Sequence, residues 1–303
     1  MLIQKKIPFQ YLFKKIKNDI LRVFLFSLFF QVLKNFFADY LPQIPLQLPT
    51  VLGTSISLIL AFQLNHSYDR WWEARKVWGA IVNDSRTLVL QLKGFVKTDN
   101  LPKQKADNLI KQMAYRQIGW CYSLGQSLRK LDPLHQAEPF IAKEELPFVL
   151  SQTNKPFALL AGQTKDLKFL HEHQVINDYQ QIQIDQTLVR LCESMGRAER
   201  INSTVFPVTY RIFVHFFIYL FLLTLSLALV ETIGLAEIPF LVLISSTFFL
   251  LEKTATYLQE PFKNKPTDTP VTAIARTIEI NIKQLLQEPE IPQPVAPEAF
   301  YLL

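Results

Sequence analysis

Long apolar runs alternate with charged sequence along this chain of 303 residues, and four of the runs have the length of a membrane-spanning helix. They are Ile20–Leu41, Leu46–Gln63, Ile212–Val230 and Ile238–Leu251. At a rise of 1.5 Å per residue, about 20 residues cross the hydrocarbon core of a bilayer, which is about 30 Å thick. The last run is shorter, but helix can continue through residues 252–260. The pattern predicts an all-α membrane protein with four transmembrane helices per subunit.

The distribution of lysine and arginine predicts the orientation of these spans. Basic residues precede the first span and fill residues 65–211, whereas the linkers 39–45 and 231–237 contain neither lysine nor arginine. Because short segments rich in these residues stay on the cytoplasmic side, we expect both termini in the cytoplasm, beneath an inner or plasma membrane. The expected divisions are residues 1–64 with the first two spans, 65–211 as a cytoplasmic helical region, 212–257 with the last two spans, and 258–303 as a cytoplasmic segment with a proline-rich tail.

The middle of the chain repeats apolar residues at helical spacing. Residues 68–96 and 105–131 each place apolar side chains every three or four positions, which predicts two helices that continue the spans into a helical cytoplasmic domain. A looser, proline-containing stretch around residues 133–156 separates them from a third predicted helix, Asp178–Ile201. Residues 287–297 are proline-rich and predict an extended arm that lies on the body or on a partner subunit.

The second span differs from the others because it carries small and hydroxyl-bearing residues: Gly53, Thr54, Ser55 and Ser57. Such residues allow close packing between helices or line a passage, and on residue type alone packing is the favoured interpretation.

A second pattern on the same helix favours a passage. Thr54, Leu58 and Phe62 recur every four residues and therefore share one face. Several copies around an axis would form a narrow, mostly apolar constriction, which can gate by dewetting or let weakly hydrated ions pass. Since one such helix cannot enclose a pore, the stripe implies a homo-oligomer with cyclic symmetry.

Aromatic and charged residues crowd the stretch that directly follows this span. Tyr68, Trp71 and Trp72 fall where aromatic side chains meet lipid headgroups. Four charged residues stand among them at helical spacing, so that pairs such as Arg70 with Glu73 can form: Asp69, Arg70, Glu73 and Arg75.

Three ionisable residues lie in or beside the last two spans. His215 is inside the third span, where we expect it to bond a neighbouring helix. Glu231 and Glu237 stand in the outer linker and are expected to cap helices, with a cation-attracting ring at the pore mouth as the alternative.

Composition and motifs exclude several other classes. The formal charge of +6 follows the predicted topology, so it requires no nucleic-acid partner. Cys121 and Cys192 are too few and too isolated for a disulfide framework or a thiolate metal site, and no cofactor is implied. The usual catalytic motifs are absent from the sequence, as is the internal repeat that is typical of secondary transporters.

Three segments resemble the bestrophin family, in particular its bacterial members. They are AFQLNHSYDRWWEARKVWGAIVNDSR at 61–86, GRAERINSTVFPVTY at 196–210 and ATYLQEPF at 255–262. The resemblance covers most of the chain, in the right order and with four spans. It implies a mostly helical homopentamer that acts as an ion channel, with a membrane neck and a second, cytoplasmic aperture.

The resemblance also assigns the neck. Carried over by position, it falls at Thr54, Leu58 and Phe62, the stripe that spacing already indicates. Leu58 and Phe62 match the apolar pattern of the family, whereas Thr54 departs from it, so the outermost ring is expected to be wetter.

The cytoplasmic aperture is assigned near Tyr179 by the same resemblance, aligned through Pro207. Because the flanking sequence matches poorly, Ile176 and Ile182 stay as alternatives.

The pair Pro261 and Phe262 belongs to the family signature, and the sequence departs from the family just after it. Animal members hold calcium through an acidic run at this point, whereas here the run is KNKPTD. Calcium takes six to eight oxygen ligands, commonly several carboxylates, and Lys263 and Lys265 oppose such a site. We therefore predict no metal site here and no activation by calcium.

The function that the resemblance implies is conduction of small monovalent ions across a lipid bilayer. Anions such as chloride are favoured from the family as a whole, and a sodium- or monovalent-cation-selective channel, as in some bacterial relatives, is the alternative. A membrane enzyme or a secondary transporter ranks below both.

Overall fold

The computed structural model describes residues 1–2, 8–37, 40–42, 44–97, 101–204, 208–229 and 236–303. Within these ranges the chain forms helices and no β-strand. The α-helices are α1 Phe9–Phe37, α2 Gln47–Phe95, α3 Lys103–Leu128, α4 Leu146–Ser151, α5 Lys155–Glu172, α6 Asp178–Ser203, α7 Val208–Ala228, α8 Glu237–Gln259 and α9 Val271–Leu285.

The chain divides into two units. The membrane unit comprises Lys5–Trp71 and Val205–Glu260, and the second unit comprises Met1–Gln4, Trp72–Thr204 and Pro261–Leu303. One division falls inside α2, which is helical without a break for 49 residues.

The four expected spans coincide with α1, α2, α7 and α8, which are long and apolar enough to cross a membrane. Helix α8 continues beyond the apolar run to Gln259, as expected. Helix α1 begins at Phe9, before the expected start of the span at Ile20, and Ile16 in this added part is buried. The core of this unit is formed by buried aliphatic and aromatic side chains: Ile16, Val23, Ile56, Leu60, Val214, Ile218, Phe221, Leu222, Leu241 and Phe249.

Helix α6 of the second unit begins where the sequence predicts. Asn177 caps it, because its side chain accepts a hydrogen bond from the backbone of Gln180 while the side chain of Gln180 accepts one from the backbone of Asn177. The predicted start at Asp178 is confirmed, and the helix ends two residues beyond the predicted Ile201, at Ser203.

Two long helices of the second unit, besides the short α4, lie where none was predicted. Helix α5, Lys155–Glu172, follows the looser stretch and is capped by Asn154, which accepts a hydrogen bond from the backbone of Phe157. Helix α9, Val271–Leu285, buries one face of the C-terminal segment. Both pack on α3.

A buried ion network joins α3, α4 and α5. Arg116 is 1% exposed. It contacts Glu145 at 2.8 Å, Asp166 at 2.7 Å and Gln163 at 3.2 Å. Burial raises the pKa of Glu145, but the hydrogen bonds and the positive charge of Arg116, with the hydrogen bond from Gln112 and the charge of Lys165, together outweigh burial and hold this pKa below its ordinary value. A buried charge without such partners would destabilise the unit strongly.

The C-terminal arm lies on the second unit. Residues 291–297 have no regular structure, as the sequence predicts for an extended arm. The arm ends beside α9, where the backbone of Ala273 donates a hydrogen bond of 3.1 Å to the carbonyl of Leu303.

Candidate pore-lining site

The predicted neck residues lie on the exposed face of α2. Leu58 and Phe62 are each 57% exposed. Thr54, one turn before Leu58, is exposed as well. The opposite face is buried against the rest of the membrane unit: Ile56, Leu60, Gln63 and Ser67. The packing of the subunit therefore leaves the expected stripe uncovered.

The hydroxyl groups of this helix are bonded to its own backbone. Thr54 donates to the carbonyl of Thr50 at 2.9 Å, and Ser57 donates to that of Gly53 at 2.8 Å. Ser55 makes the same bond to Val51 at 2.9 Å. Because each hydroxyl hydrogen is used within the helix, these side chains present oxygen lone pairs rather than donors to their surroundings.

Gly53 has a packing role. A Cβ atom at this position would lie 3.0 Å from Cε2 of Phe221 on α7, so the absence of a side chain permits the close approach of the two helices. The small residues of the span thus have two kinds of surroundings. Gly53 lies in a contact between helices, whereas the hydroxyl-bearing residues Thr54, Ser55 and Ser57 are exposed.

The aromatic and charged stretch continues α2 beyond the neck. The rings of Tyr68 and Trp71 lie 6.1 Å apart. Arg70 donates from Nε to the carbonyl of Gln259 at 2.6 Å, at the C-terminal end of α8, where a cation also suits the helix dipole. Asp69 is exposed.

The remaining residues of that stretch belong to the second unit. Glu73 forms an ion pair of 2.6 Å with Lys76 one turn on. Trp72 is 46% exposed, and Arg75 is half-buried beside Gly79. The stretch thus continues α2, and its exposed side carries charged side chains.

The Pro261–Phe262 pair closes a short loop. Phe262 is 1% exposed in the core of the second unit, and the carbonyl of Pro261 accepts a hydrogen bond of 3.1 Å from the backbone of Thr269. Asp268 is fully buried, and its Oδ2 accepts a hydrogen bond from the backbone of Lys265 at 3.1 Å. Burial raises the pKa of Asp268 above its ordinary value.

The three candidates for the cytoplasmic aperture have different surroundings. Tyr179 and Ile182, in the first turns of α6, are 81% and 53% exposed. Ile176 precedes α6 and is 3% exposed, packed in the core of the second unit. The aperture stays a prediction, and of its three candidates Tyr179 and Ile182 are the ones with exposed side chains.

Glu237 is the first residue of α8, where a carboxylate suits the helix dipole, and its side chain is buried rather than exposed at a mouth. It is 2% exposed and forms an ion pair with Lys34 of α1, whose ammonium group also donates to the carbonyl of Ser226 at 3.0 Å. The pair neutralises the carboxylate within one subunit. Sequence analysis missed it, and Glu231 lies outside the described residues.

His215 contacts a neighbouring helix, as expected. Its Nε2 lies 3.5 Å from Oε2 of Glu252 on α8, and its ring packs edge-on against Phe249 with a centroid distance of 5.5 Å. Among the residues that the structure describes, no group of three or more His, Cys, Asp or Glu side chains is arranged to hold a metal ion.

These features define an all-helical membrane protein whose spans carry an exposed apolar stripe. The family model described as Bacterial/Fungal Bestrophin protein matches residues 10–284, and the chain belongs to this family.

Named relatives agree with this membership. The voltage-dependent anion channel-forming protein YneE of Escherichia coli K12 is 30% identical over 290 residues, which are 95% of this chain and 92% of YneE. The voltage-dependent anion channel-forming protein RSc3414 of Ralstonia nicotianae is 27% identical over 84% of this chain and 81% of that protein. The crystal structure of a bacterial bestrophin homologue from Klebsiella pneumoniae is 25% identical, covers 91% of this chain and 100% of the homologue, and has a TM-score of 0.81. Family and relatives indicate a channel rather than an enzyme.

Proposed function

We propose that five copies of this chain form an anion channel whose neck is lined by Thr54, Leu58 and Phe62 of each α2. The observation that carries the proposal is the exposed stripe on α2, because the subunit buries the other side of the same helix and leaves this one uncovered. Rings of Leu58 and Phe62 would favour ions that shed water readily, and chloride is more weakly hydrated than sodium.

A second constriction is proposed at the start of α6. Tyr179 and Ile182 are one turn apart and both exposed, so copies of either could border an opening in the symmetric assembly. The number of subunits follows from the family resemblance. The proposed orientation places both termini in the cytoplasm, because the segments rich in Lys and Arg are expected on the cytoplasmic side.

The preference for anions is supported by the names of the relatives and by the internal pairing of Glu237. Since this carboxylate is held by Lys34, it does not add an exposed negative ring to the path. The competing candidate is a channel for monovalent cations. It is favoured by the hydroxyl groups of Thr54 and Ser57, which turn oxygen lone pairs toward their surroundings.

The test is the reversal potential of the purified protein in a planar bilayer with a tenfold gradient of NaCl. An anion channel gives a reversal potential near the chloride equilibrium potential, and a cation channel gives one near the sodium equilibrium potential. Replacing chloride by gluconate on one side separates conduction through the neck from leak. The proposal fails if no current above that of protein-free membranes is recorded, or if mass measurement in detergent shows a monomer.

A further inference from the structure

A cleft between α7 and α8 combines cationic side chains with a buried carboxylate. Its volume is about 400 Å³. It is lined by Arg211, Ile212, His215, Glu252, Lys253 and Thr256.

The cleft lies where the apolar parts of both helices meet polar sequence. Arg211 stands in the first turns of α7, and Glu252 and Lys253 directly follow the apolar run that ends at Leu251 of α8. This is the level of lipid phosphates in a bilayer, where Lys and Arg between helices meet headgroups.

The cations face outward and the carboxylate faces inward. Arg211 is exposed, and the side chain of Lys253 is 30% exposed, whereas Glu252 is 1% exposed. Glu252 accepts a hydrogen bond of 3.0 Å from the hydroxyl of Thr256, and its other oxygen faces His215. An anion that enters the cleft would therefore meet the cations rather than Glu252.

The charges around the cleft do not balance within the membrane unit. Lys253 lies 3.3 Å from Asp19 of α1, which also contacts Arg22 at 3.4 Å. With His215 counted as neutral, the cleft and the adjoining Arg22–Asp19–Lys253 cluster hold three cations, Arg211, Lys253 and Arg22, and two carboxylates, Asp19 and Glu252, which leaves one positive charge over. Among the described residues, Arg211 forms no ion pair and no hydrogen bond through its side chain.

Apolar surface continues from the cleft along α7. Ile212, at its rim, and Phe216, one turn further into the span, are 61% and 59% exposed. A molecule with one negative charge and a long apolar tail would match both the excess cation and this surface.

From these observations we propose that the cleft binds the phosphodiester group of an anionic phospholipid, for which phosphatidylglycerol is the probe. Arg211 and Lys253 contact the phosphate, and the acyl chain lies along Ile212 and Phe216. One phosphodiester supplies the missing negative charge. A zwitterionic lipid would leave it unbalanced and would bring an ammonium group next to two cations.

Native mass spectrometry of the detergent-purified protein tests the proposal. The protein is mixed with equal amounts of phosphatidylglycerol and phosphatidylcholine of identical chains, with and without inorganic phosphate. We expect preferential retention of phosphatidylglycerol and no displacement by millimolar phosphate. The double variant Arg211→Gln/Lys253→Gln should lose this preference by roughly 30-fold, because each basic residue at an anionic headgroup contributes about a fivefold preference.

The matched control removes the same two charges from the second unit, as Arg197→Gln/Lys168→Gln, whose side chains are 47% and 73% exposed. Its lipid preference should equal that of the parent. Because Lys253 pairs with the buried Asp19, the single variant Arg211→Gln provides a test that does not depend on that contact, with an expected loss of roughly fivefold.

The proposal is overturned by equal retention of both lipids on the parent protein, by an unchanged preference in Arg211→Gln, or by displacement of the lipid with inorganic phosphate. The last result would assign the cleft to free phosphate. Since lipid retention is measured without any current, these outcomes are independent of whether the protein conducts.

Discussion

The two units of the protein expose large apolar side chains to different extents and for different reasons. In the membrane unit such residues occur on every span, for example Phe29, Phe62, Phe213 and Leu243 at 61%, 57%, 61% and 65% exposure. In the second unit they are fewer, and Tyr179 of α6 has the highest exposure at 81%. Lipid explains most of the first group, whereas single exposed apolar side chains are common on a protein surface in water and indicate a function only together with a second observation.

An exposed apolar side chain therefore has a different meaning in each unit: in the membrane unit it can face either lipid or a pore. Exposure alone cannot identify the neck, because a lipid-facing leucine and a pore-facing leucine are equally exposed in one subunit. The spacing of Thr54, Leu58 and Phe62, together with the hydroxyl groups among them, is what favours a pore-facing position for this stripe. At α6 the resemblance to the family selects Tyr179 and Ile182, and their exposure agrees with a position at an opening.

Both units also bury ion pairs, and breaking them should produce the largest effects. Arg116→Met leaves Glu145 and Asp166 without their cation, and Lys34→Met leaves Glu237 without its cation. We expect each change to lower the free energy of unfolding by about 3–5 kcal/mol, because an unpaired buried charge is strongly unfavourable. Denaturant unfolding followed by tryptophan fluorescence measures the loss.

A second substitution at the partner of each ion pair should restore different amounts of stability in the two units. Lys34→Met/Glu237→Met removes both charges of a simple pair and should recover most of the lost stability, as apolar replacements of buried pairs commonly do. Arg116→Met/Glu145→Gln should recover less, since Asp166 still lacks its cation. If both double variants recover the same free energy of unfolding, the unpaired Asp166 does not destabilise the second unit.

Much of the fold could be predicted from the sequence. The spans follow from apolar length, and the start of α6 follows from the cap at Asn177. Helix α5 was missed because Pro156 reads as a loop residue, although it stands in the first turn of the helix, where proline is tolerated. Helix α9 was missed although Val271, Ala275, Ile278 and Ile282 have helical spacing, a signal that could have been found.

The candidate site was predictable only where it is local. Thr54, Leu58 and Phe62 belong to one helix, so their common face follows from helical geometry. Contacts between distant positions have no such signal: nothing in the sequence joins Lys34 to Glu237, or Asp19 to Lys253. Ile176 looked equivalent to Ile182 by residue type, and only packing separates the buried side chain from the exposed one.

Substitutions in the predicted neck should have the next largest effects. Leu58→Ala and Phe62→Ala should each raise the single-channel conductance, roughly tenfold if the change lowers the barrier to permeation by about 1.4 kcal/mol. The physical reason is that a wider, less apolar ring is more readily wetted. Planar-bilayer recordings at fixed voltage measure the change.

Leu243→Ala is the matched control for the neck, because Leu243 is 65% exposed on α8 and should face lipid. Its conductance should equal that of the parent. Parental conductance in both neck variants would remove the stripe from the permeation path, and a large effect of Leu243→Ala would mean that α8 also contributes to that path.

The start of α6 should give a smaller effect. Tyr179→Ala and Ile182→Ala are expected to change the relative permeability of chloride and a larger anion by roughly twofold, equivalent to about 0.4 kcal/mol. The neighbouring residues are polar, Asp178, Gln180, Gln181 and Gln183, so an opening there would stay wet and select by size rather than by dewetting. Reversal potentials in mixed-anion solutions measure the ratio, and Phe157→Ala, at a side chain 54% exposed on α5, is the control. Unchanged ratios in both α6 variants would place the aperture elsewhere.

The smallest effect is expected from calcium. Chelating calcium on either side should leave the current unchanged, because the loop after Phe262 offers one buried carboxylate, Asp268, next to Lys263 and Lys265. Calcium needs six to eight oxygen ligands, and Asp268 already uses one oxygen for the backbone of Lys265. Asp268→Asn keeps that hydrogen bond, so the variant should fold and conduct like the parent at every calcium concentration. A current that collapses on chelation, returns with calcium, and loses this response in Asp268→Asn would instead assign a calcium site to the loop.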